Sequence, residues 1–242
     1  MEYITSSDFH FKDTAVALGK FEGIHRGHQL LMDEVKKQEL HGLRSVVFTF
    51  DRPTRLTLTG DTEYKQIYTK KERREILEKR GIDILIEHPF TKEFAALTPD
   101  RFIREVLVEK VGAKVIVVGT DFHFGKNRSG SITDLEKLEE ECGYHLIVVE
   151  KLQLNGKDIS STRIRASLEK GAMEEAKALL GRNYSVSGEI LHGNALGRTI
   201  QVPTINQQVP SFKLLPPNGV YVSKIHWKDE VYYGITNIGT KP

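Results

Sequence analysis

Alternating β-rich runs and amphipathic helical stretches up to about residue 181 predict a mainly parallel, doubly wound α/β sheet. After Tyr184 the chain changes to short strands broken by glycine and proline, which predicts a partial all-β barrel domain following the sheet. A third observation places the site. A glycine-rich turn, residues 19–28 (GKFEGIHRGH), joins an apolar strand to a helical pattern, where doubly wound sheets hold their ligands.

Five β-rich runs are legible: residues 14–18, Ser45 to Phe50, Ile82 to Glu87, Lys114 to Val118, and His145 to Val149. Between them, Leu31, Met32 and Val35 share the spacing of one helix face, and so do Ile103, Val106, Leu107 and Val111. Met173, Ala176, Leu179 and Leu180 form another helical pattern, with Gly181 placed as its C-terminal cap. Charge-rich stretches such as Lys70 to Arg74 and Glu136 to Glu141 read as solvated helix faces. Downstream, SVSGEIL, HGNALGRTI, PPNGVYVSKIHW and EVYYGITNIG read as strands and turns. About 60 residues are too few for a closed barrel of common size, so this domain is expected to be incomplete.

The 242 residues carry 35 Lys and Arg against 33 Asp and Glu, a formal net charge of +2, so composition gives no pull toward nucleic acid or a membrane surface. One cysteine, Cys142, excludes an intrachain disulfide and a cysteine-based zinc site. No apolar run approaches the ~18 to 20 residues that span a bilayer, and nothing at the start resembles a signal peptide. A cytoplasmic enzyme is the expectation.

A helix N-terminus offers unpaired N–H groups and the positive end of a dipole, so the turn suits an anion such as a triphosphate. Glycines at 19, 23 and 27 allow close approach of backbone and ligand. The competing reading, His25 and His28 as zinc ligands, needs a third protein ligand, and none is suggested nearby. A second segment, Ile159 to Arg165 (ISSTRIR), sets Ser and Thr hydroxyls and a guanidinium at another helix start. Alone it reads as an N-cap box with an exposed arginine. Beside the first turn, it supplies a second phosphate-binding helix terminus.

The HxGH turn (His25 to His28) and the ISSTxxR segment resemble the signature pair of the nucleotidylyltransferase superfamily. Further segments narrow the resemblance to bacterial bifunctional FAD synthetases, which combine riboflavin kinase and FMN adenylyltransferase. They are GKFEGIHRGHQ at 19–29, VVFTFDRP at 46–53, VVGTDFHFGKNRSG at 117–130, and ALLGRNYSVSGEILHGNALGRTIQVPTIN at 178–206. The resemblance implies a Rossmann-like adenylyltransferase domain over residues 1–182 and the N-terminal part of a kinase β-barrel over 183–242.

It further implies that His25 and His28 contact ATP phosphates, that Ser161, Thr162 and Arg165 hold the departing β- and γ-phosphates, and that Ser160, Gly19, Lys20, Phe21 and Gly23 line the nucleotide site. Phe50, Asp51 and Pro53, with Asp121, Phe122, Phe124 and Arg128, would lie near the flavin. On packing alone, Phe122 and Phe124 read equally well as core. Thr204 and Asn206 would hold Mg-ATP in the kinase module, after a glycine-rich loop at Gly193 to Arg198. Lys20 and Glu22 stand where the family commonly has Asn and Asp, and Arg52-Pro53-Thr54 where many relatives have a His-Pro pair. ATP, FMN and riboflavin are the implied substrates, FAD the product and Mg²⁺ the implied metal, with no nucleic-acid or membrane partner. Because the acidic residue that activates riboflavin in relatives would lie past Pro242, riboflavin phosphorylation by these 242 residues is not expected. Two alternatives are a nucleotidylyltransferase for another phosphorylated acceptor, and a non-catalytic flavin- or nucleotide-binding paralogue.

Overall fold

The computed structural model describes residues 1–53, 60–61, 63–191 and 204–239. The chain divides into two compact units, one of Met1–Tyr64 with Tyr68–Ile159, the other of Lys65–Ile67 with Ser160–Pro242.

The first unit is a six-stranded parallel sheet. Its strands are β1 (Glu2–Ile4), β2 (Thr14–Leu18), β3 (Arg44–Phe50), β4 (Ile84–His88), β5 (Ala113–Gly119) and β6 (His145–Val149), in spatial order β1-β4-β3-β2-β5-β6. Helices α1 (Arg26–Lys37), α2 (Lys70–Lys79) and α3 (Phe102–Lys110, π-type) and then α4 (Ile132–Cys142) connect them. Strand side chains alternate between two cores, as a sheet covered on both faces requires. Val16, Leu18, Val46, Phe48, Ile116 and Val118 enter one core, which includes Ile103 and Leu107 of α3. Ala15, Ala17, Val47, Val115 and Val117 enter the other, against Leu31, Met32 and Val35 of α1. All five expected strands form. Edge strand β1 is additional, too short and too mixed in character for a periodicity signal, and it pairs in parallel with β4.

The charged run at 70–74 differs from a purely solvated face. Thr69 and Glu72 form a capping box at the start of α2, and Glu72 is buried. The side chain of Arg73 is only 12% exposed and pairs with the fully buried Glu87 of β4, to which Tyr3 also donates. Arg73 Nε donates to Glu87 Oε1 at 2.8 Å, and Arg73 Nη2 reaches the Phe50 carbonyl at 3.3 Å.

In the second unit, α5 (Ser161–Glu169) and α6 (Met173–Leu180) form a helical hairpin, with Gly171 and the cap residue Gly181 both left-handed. Two antiparallel pairs follow the hairpin in the chain. One joins Glu189–Leu191 to Asn206–Gln208, the other Gly219–Trp227 to Glu230–Ile238. Residues 65–67 join this unit through Gln66, whose N–H donates to Phe212 O at 2.6 Å and whose carbonyl accepts Leu214 N–H at 2.7 Å. The buried Lys213 ammonium donates to the carbonyls of Ile67 and Ser185.

Candidate active site

The expected nucleotide turn lies at the C-terminal end of β2. Its conformation is strained. Phe21 (φ 46°) and Ile24 (φ 42°) are left-handed although neither is glycine, and both are fully buried. A β-branched residue at positive φ is an outlier costing about 1–3 kcal/mol, and such strain persists only where the surroundings over-determine it. Here Gly19 N–H donates to Phe48 O at 3.3 Å and Thr49 Oγ1 to Lys20 O at 3.0 Å. Gln29 Nε2 donates to Ile24 O at 2.9 Å, and Tyr64 OH to Glu22 Oε2 at 2.8 Å. Lys20 itself is exposed and Gly23 buried.

His25 is the N-cap of α1. Its Nδ1 accepts the His28 N–H at 3.3 Å, and the two imidazoles stack with centroids 3.7 Å apart and planes 16° from parallel. Phe21 meets His28 edge-on at 5.0 Å. A ring nitrogen that accepts a hydrogen bond carries no proton, so neutral His25 holds its proton on Nε2, where it serves as a donor. Two of the glycines also have a packing reason that the sequence did not reveal. A Cβ on Gly19 would lie 3.0 Å from the Phe21 ring, and one on Gly27 3.2 Å from His25 Nδ1.

The second phosphate segment begins the other unit. Ser160 Oγ caps α5 by accepting Arg163 N–H at 3.2 Å, leaving Ser161 and Thr162 in the first turn and Arg165 half-buried one turn on. Arg163 is engaged with Glu175 at 2.9 Å, and Ser167 Oγ donates to the same carboxylate.

The expected flavin residues lie at the end of β3 (Phe50) and in two loops of the first unit, after β3 and after β5. Asp51 N–H donates to His88 O at 3.0 Å, and Asp51 Oδ1 accepts Phe90 N–H at 3.1 Å; Pro53 is half-buried. In the other loop, Phe124 and Gly130 exchange both backbone hydrogen bonds, Asp121 pairs with Lys151 at 3.2 Å, and Arg128 (φ 59°) is exposed. Rings connect the two loops. Centroid separations are 5.7 Å for Phe50–Phe94, 5.9 Å for Phe94–Phe102, 5.4 Å for Phe102–Phe124 and 5.4 Å for Phe122–Phe124. Phe124 is buried in the core and Phe122 half-buried.

Sequence reasoning missed His88, Phe90, Phe94 and Phe102. The available signal was position, since EHPF at 87–90 ends a strand on the ligand side of a doubly wound sheet. His88 is buried between Phe48 (5.7 Å) and Phe94 (4.2 Å), and burial pushes its imidazole below the ordinary value.

Of the expected kinase residues, Asn206 is half-buried in its strand and Thr204 is exposed; Gly193 to Arg198 and Pro203 lie outside the described residues. Among the described residues, no group of three or more His, Cys, Asp or Glu could hold a metal ion.

A parallel doubly wound sheet with a strained, histidine-capped turn at the end of its second strand defines an α/β protein of the nucleotidylyltransferase type. The FAD synthetase family model matches residues 8–163 and the riboflavin kinase family model residues 180–242. The chain belongs to the FAD synthetase family. Proteins named bifunctional riboflavin kinase/FMN adenylyltransferase are similar over most of it. The Bacillus subtilis (strain 168) protein is 36% identical over 95% of this chain and 72% of its own length. The Listeria monocytogenes relative is 34% identical over 98% and 75%, and the Escherichia coli (strain K12) relative 34% over 94% and 73%. The chain thus spans about three quarters of the length of these relatives. A solved structure named a macrolide-efflux protein, from Streptococcus pneumoniae, shares the fold with a TM-score of 0.87, at 30% identity over 99% of this chain and 79% of that one.

Proposed function

We propose that this chain transfers the AMP moiety of ATP to FMN, giving FAD and pyrophosphate, and that residues 180–242 belong to a riboflavin kinase module whose reaction, riboflavin and ATP to FMN, is not expected of these 242 residues by themselves. The histidine-capped turn is the observation that carries the reading. An FMN phosphate oxygen attacks the α-phosphorus of ATP, the bond from that phosphorus to the bridging oxygen of the β-phosphate breaks, and pyrophosphate leaves. The nucleophile is already an anion at neutral pH, so the protein needs no strong general base. It must stabilise charge on the α-phosphoryl group and on the leaving pyrophosphate.

His25 Nε2–H, His28 and the first N–H groups of α1 are assigned to the phosphates near the reacting centre, and Ser161, Thr162 and Arg165 to the leaving group. Gly19, Lys20, Phe21, Gly23 and Ser160 are assigned to the nucleotide. Phe50, Asp51, Pro53, Asp121, Phe122, Phe124 and Arg128 are assigned to the flavin, Phe124 acting from the core side of the ring series. Residues 1–182 form the adenylyltransferase domain in this reading and residues 183–242 the kinase part.

Mg²⁺ is the proposed metal. Thr204 offers a hydroxyl and Asn206 an amide oxygen, hard donors that suit an ion held mainly by phosphates. When bound, it neutralises phosphate charge. The proposed location is the cytoplasm, with small-molecule partners and neither nucleic acid nor membrane. Among the described residues no helix is long and apolar enough to cross a membrane.

An acceptor panel tests the reading. Purified protein with ATP and Mg²⁺ is offered FMN, phosphopantetheine or a sugar-alcohol phosphate, and the products are separated by chromatography. FAD formed from FMN alone supports it; a different nucleotidylated acceptor favours the wider nucleotidylyltransferase reading, and no product favours a binding paralogue.

A further inference from the structure

We infer that Asp51 serves the acceptor site as a positioning residue: its carboxylate holds the Phe90 N–H and so fixes the turn after β4, and the Phe90 ring, against the end of β3. The inference deepens the proposed assignment of the β3 end to FMN and rests on it. Strands β3 and β4 run in parallel register up to the pair Phe50–His88. One further rung follows, Asp51 N–H donating to His88 O at 3.0 Å. The ladder then meets Pro89, which has no N–H to offer. The His88 ring turns to this residue, with Nδ1 2.9 Å from its carbonyl, and the next backbone donor along the chain is Phe90 N–H. Asp51 Oδ1 accepts it at 3.1 Å. One residue thus brackets His88, Pro89 and Phe90 with its own N–H and its own side chain.

The second carboxylate oxygen is engaged as well, accepting Arg52 Nε at 3.1 Å. With its side chain only 15% exposed and each oxygen bonded within the chain, Asp51 acts on an acceptor through what it holds. What it holds is a pair of rings. Phe50 and Phe90 lie with centroids 4.7 Å apart and planes 60° from parallel, and both are half-buried, so each keeps an open part. Phe94 meets them at 5.7 and 6.2 Å. Phe50 is fixed by its strand and by Arg73 Nη2 on its carbonyl. Phe90 has left the sheet, and the Asp51 carboxylate ties it back. A flat isoalloxazine packs on such rings by offset or edge-on contact, so the placement of Phe90 beside Phe50 sets how well it seats.

The test is steady-state kinetics of FAD formation by the full chain carrying Asp51→Ala, Asp51→Asn or Asp51→Glu, each also in a Phe90→Leu background, with urea unfolding on every preparation. Asp51→Ala should raise the KM for FMN about five-fold or more and leave that for ATP unchanged. Asp51→Asn keeps an acceptor oxygen at the same reach and should recover most of that loss; Asp51→Glu keeps the charge but displaces the oxygen and should not. In the Phe90→Leu background, Asp51→Ala should raise the FMN KM no further. Amide hydrogen exchange at Phe90, followed by NMR, reads the bond itself and should speed up in Asp51→Ala but not in Asp51→Asn. An active Asp51→Glu beside an impaired Asp51→Asn overturns the inference in favour of a direct charge contact with substrate. That ranking decides by itself if Asp51→Ala does not fold. FAD formed by Asp51→Ala at the wild-type FMN KM refutes the positioning role alone, whereas a wild type that makes no FAD removes the FMN assignment and the inference with it.

Discussion

His25 Nδ1 accepts the backbone N–H of His28 at 3.3 Å, so one imidazole both caps helix α1 and is held in a single proton arrangement. Capping and catalysis can be separated by substitution. His25→Asn retains a good N-cap acceptor and should keep the wild-type unfolding midpoint in urea, while FAD formation falls about 100-fold or more through loss of the Nε2–H donor. His25→Ala should lose the same activity and also about 1 kcal/mol of stability. Equal activity in His25→Asn and the wild type would refute the donor role.

Gly27→Ala sets stability against activity. The substitution adds up to about 1 kcal/mol of helix propensity, but its Cβ would lie 3.2 Å from His25 Nδ1 and 3.3 Å from Cε1. The histidine ring must move a few tenths of an ångström, so kcat for FAD formation should drop several-fold without a loss in melting temperature. Steady-state kinetics and thermal melts on the same preparation check both halves.

The buried ion pair predicts a large effect far from the chemistry. Arg73→Met leaves the fully buried Glu87 carboxylate without its main partner and should cost about 3 kcal/mol or more in urea unfolding. Tyr3 adds a pH dependence. Burial, together with its hydrogen bond to Glu87, pushes the Tyr3 phenol up to about 12 from an ordinary 10.0. Its stabilising contribution is full below pH 10 and lost as pH rises through about 12, a loss that Tyr3→Phe should not show.

His88 titrates in the opposite sense. Burial lowers its imidazole below the ordinary 6.5, so its neutral form is the folded one. Its contribution is full above pH 6.5 and lost as pH falls through the lowered value. Urea midpoints followed from neutral to acid pH should fall more in the wild type than in His88→Leu.

Phe122 and Phe124 should separate a flavin contact from packing. Phe124→Ala opens the core and should cost about 3–5 kcal/mol of stability. Phe122→Ala, at a half-buried ring, should cost far less and instead raise the KM for FMN while leaving that for ATP unchanged. A Phe122→Ala enzyme with an unaltered FMN KM would leave that ring a packing residue.

Most of the sheet was legible because its strands are buried on both faces and read as unbroken apolar runs, such as Val46 to Phe48 and Val115 to Val118. Strand β1 was not, since only three residues pair along an edge. Arg73 looked solvated because charge alone does not reveal a buried acidic partner on β4. At the site, the HxGH spacing was plain in the sequence, but the strain at Phe21 and Ile24 and the His25 cap depend on backbone angles and distant carbonyls. The ring series through Phe94 and Phe102 required the parallel pairing of the sheet, which brings the C-terminal ends of β4 and β5 to the same side.

The central claim, transfer of the α-phosphoryl group of ATP to FMN at the His25–His28 turn, is tested most directly with labelled ATP. Wild-type protein given FMN, Mg²⁺ and ATP should place an α-phosphate label in FAD and a γ-phosphate label in pyrophosphate, and His28→Ala should lower both by about 100-fold or more. An α-label absent from FAD, or equal labelling by the two proteins, would contradict the account.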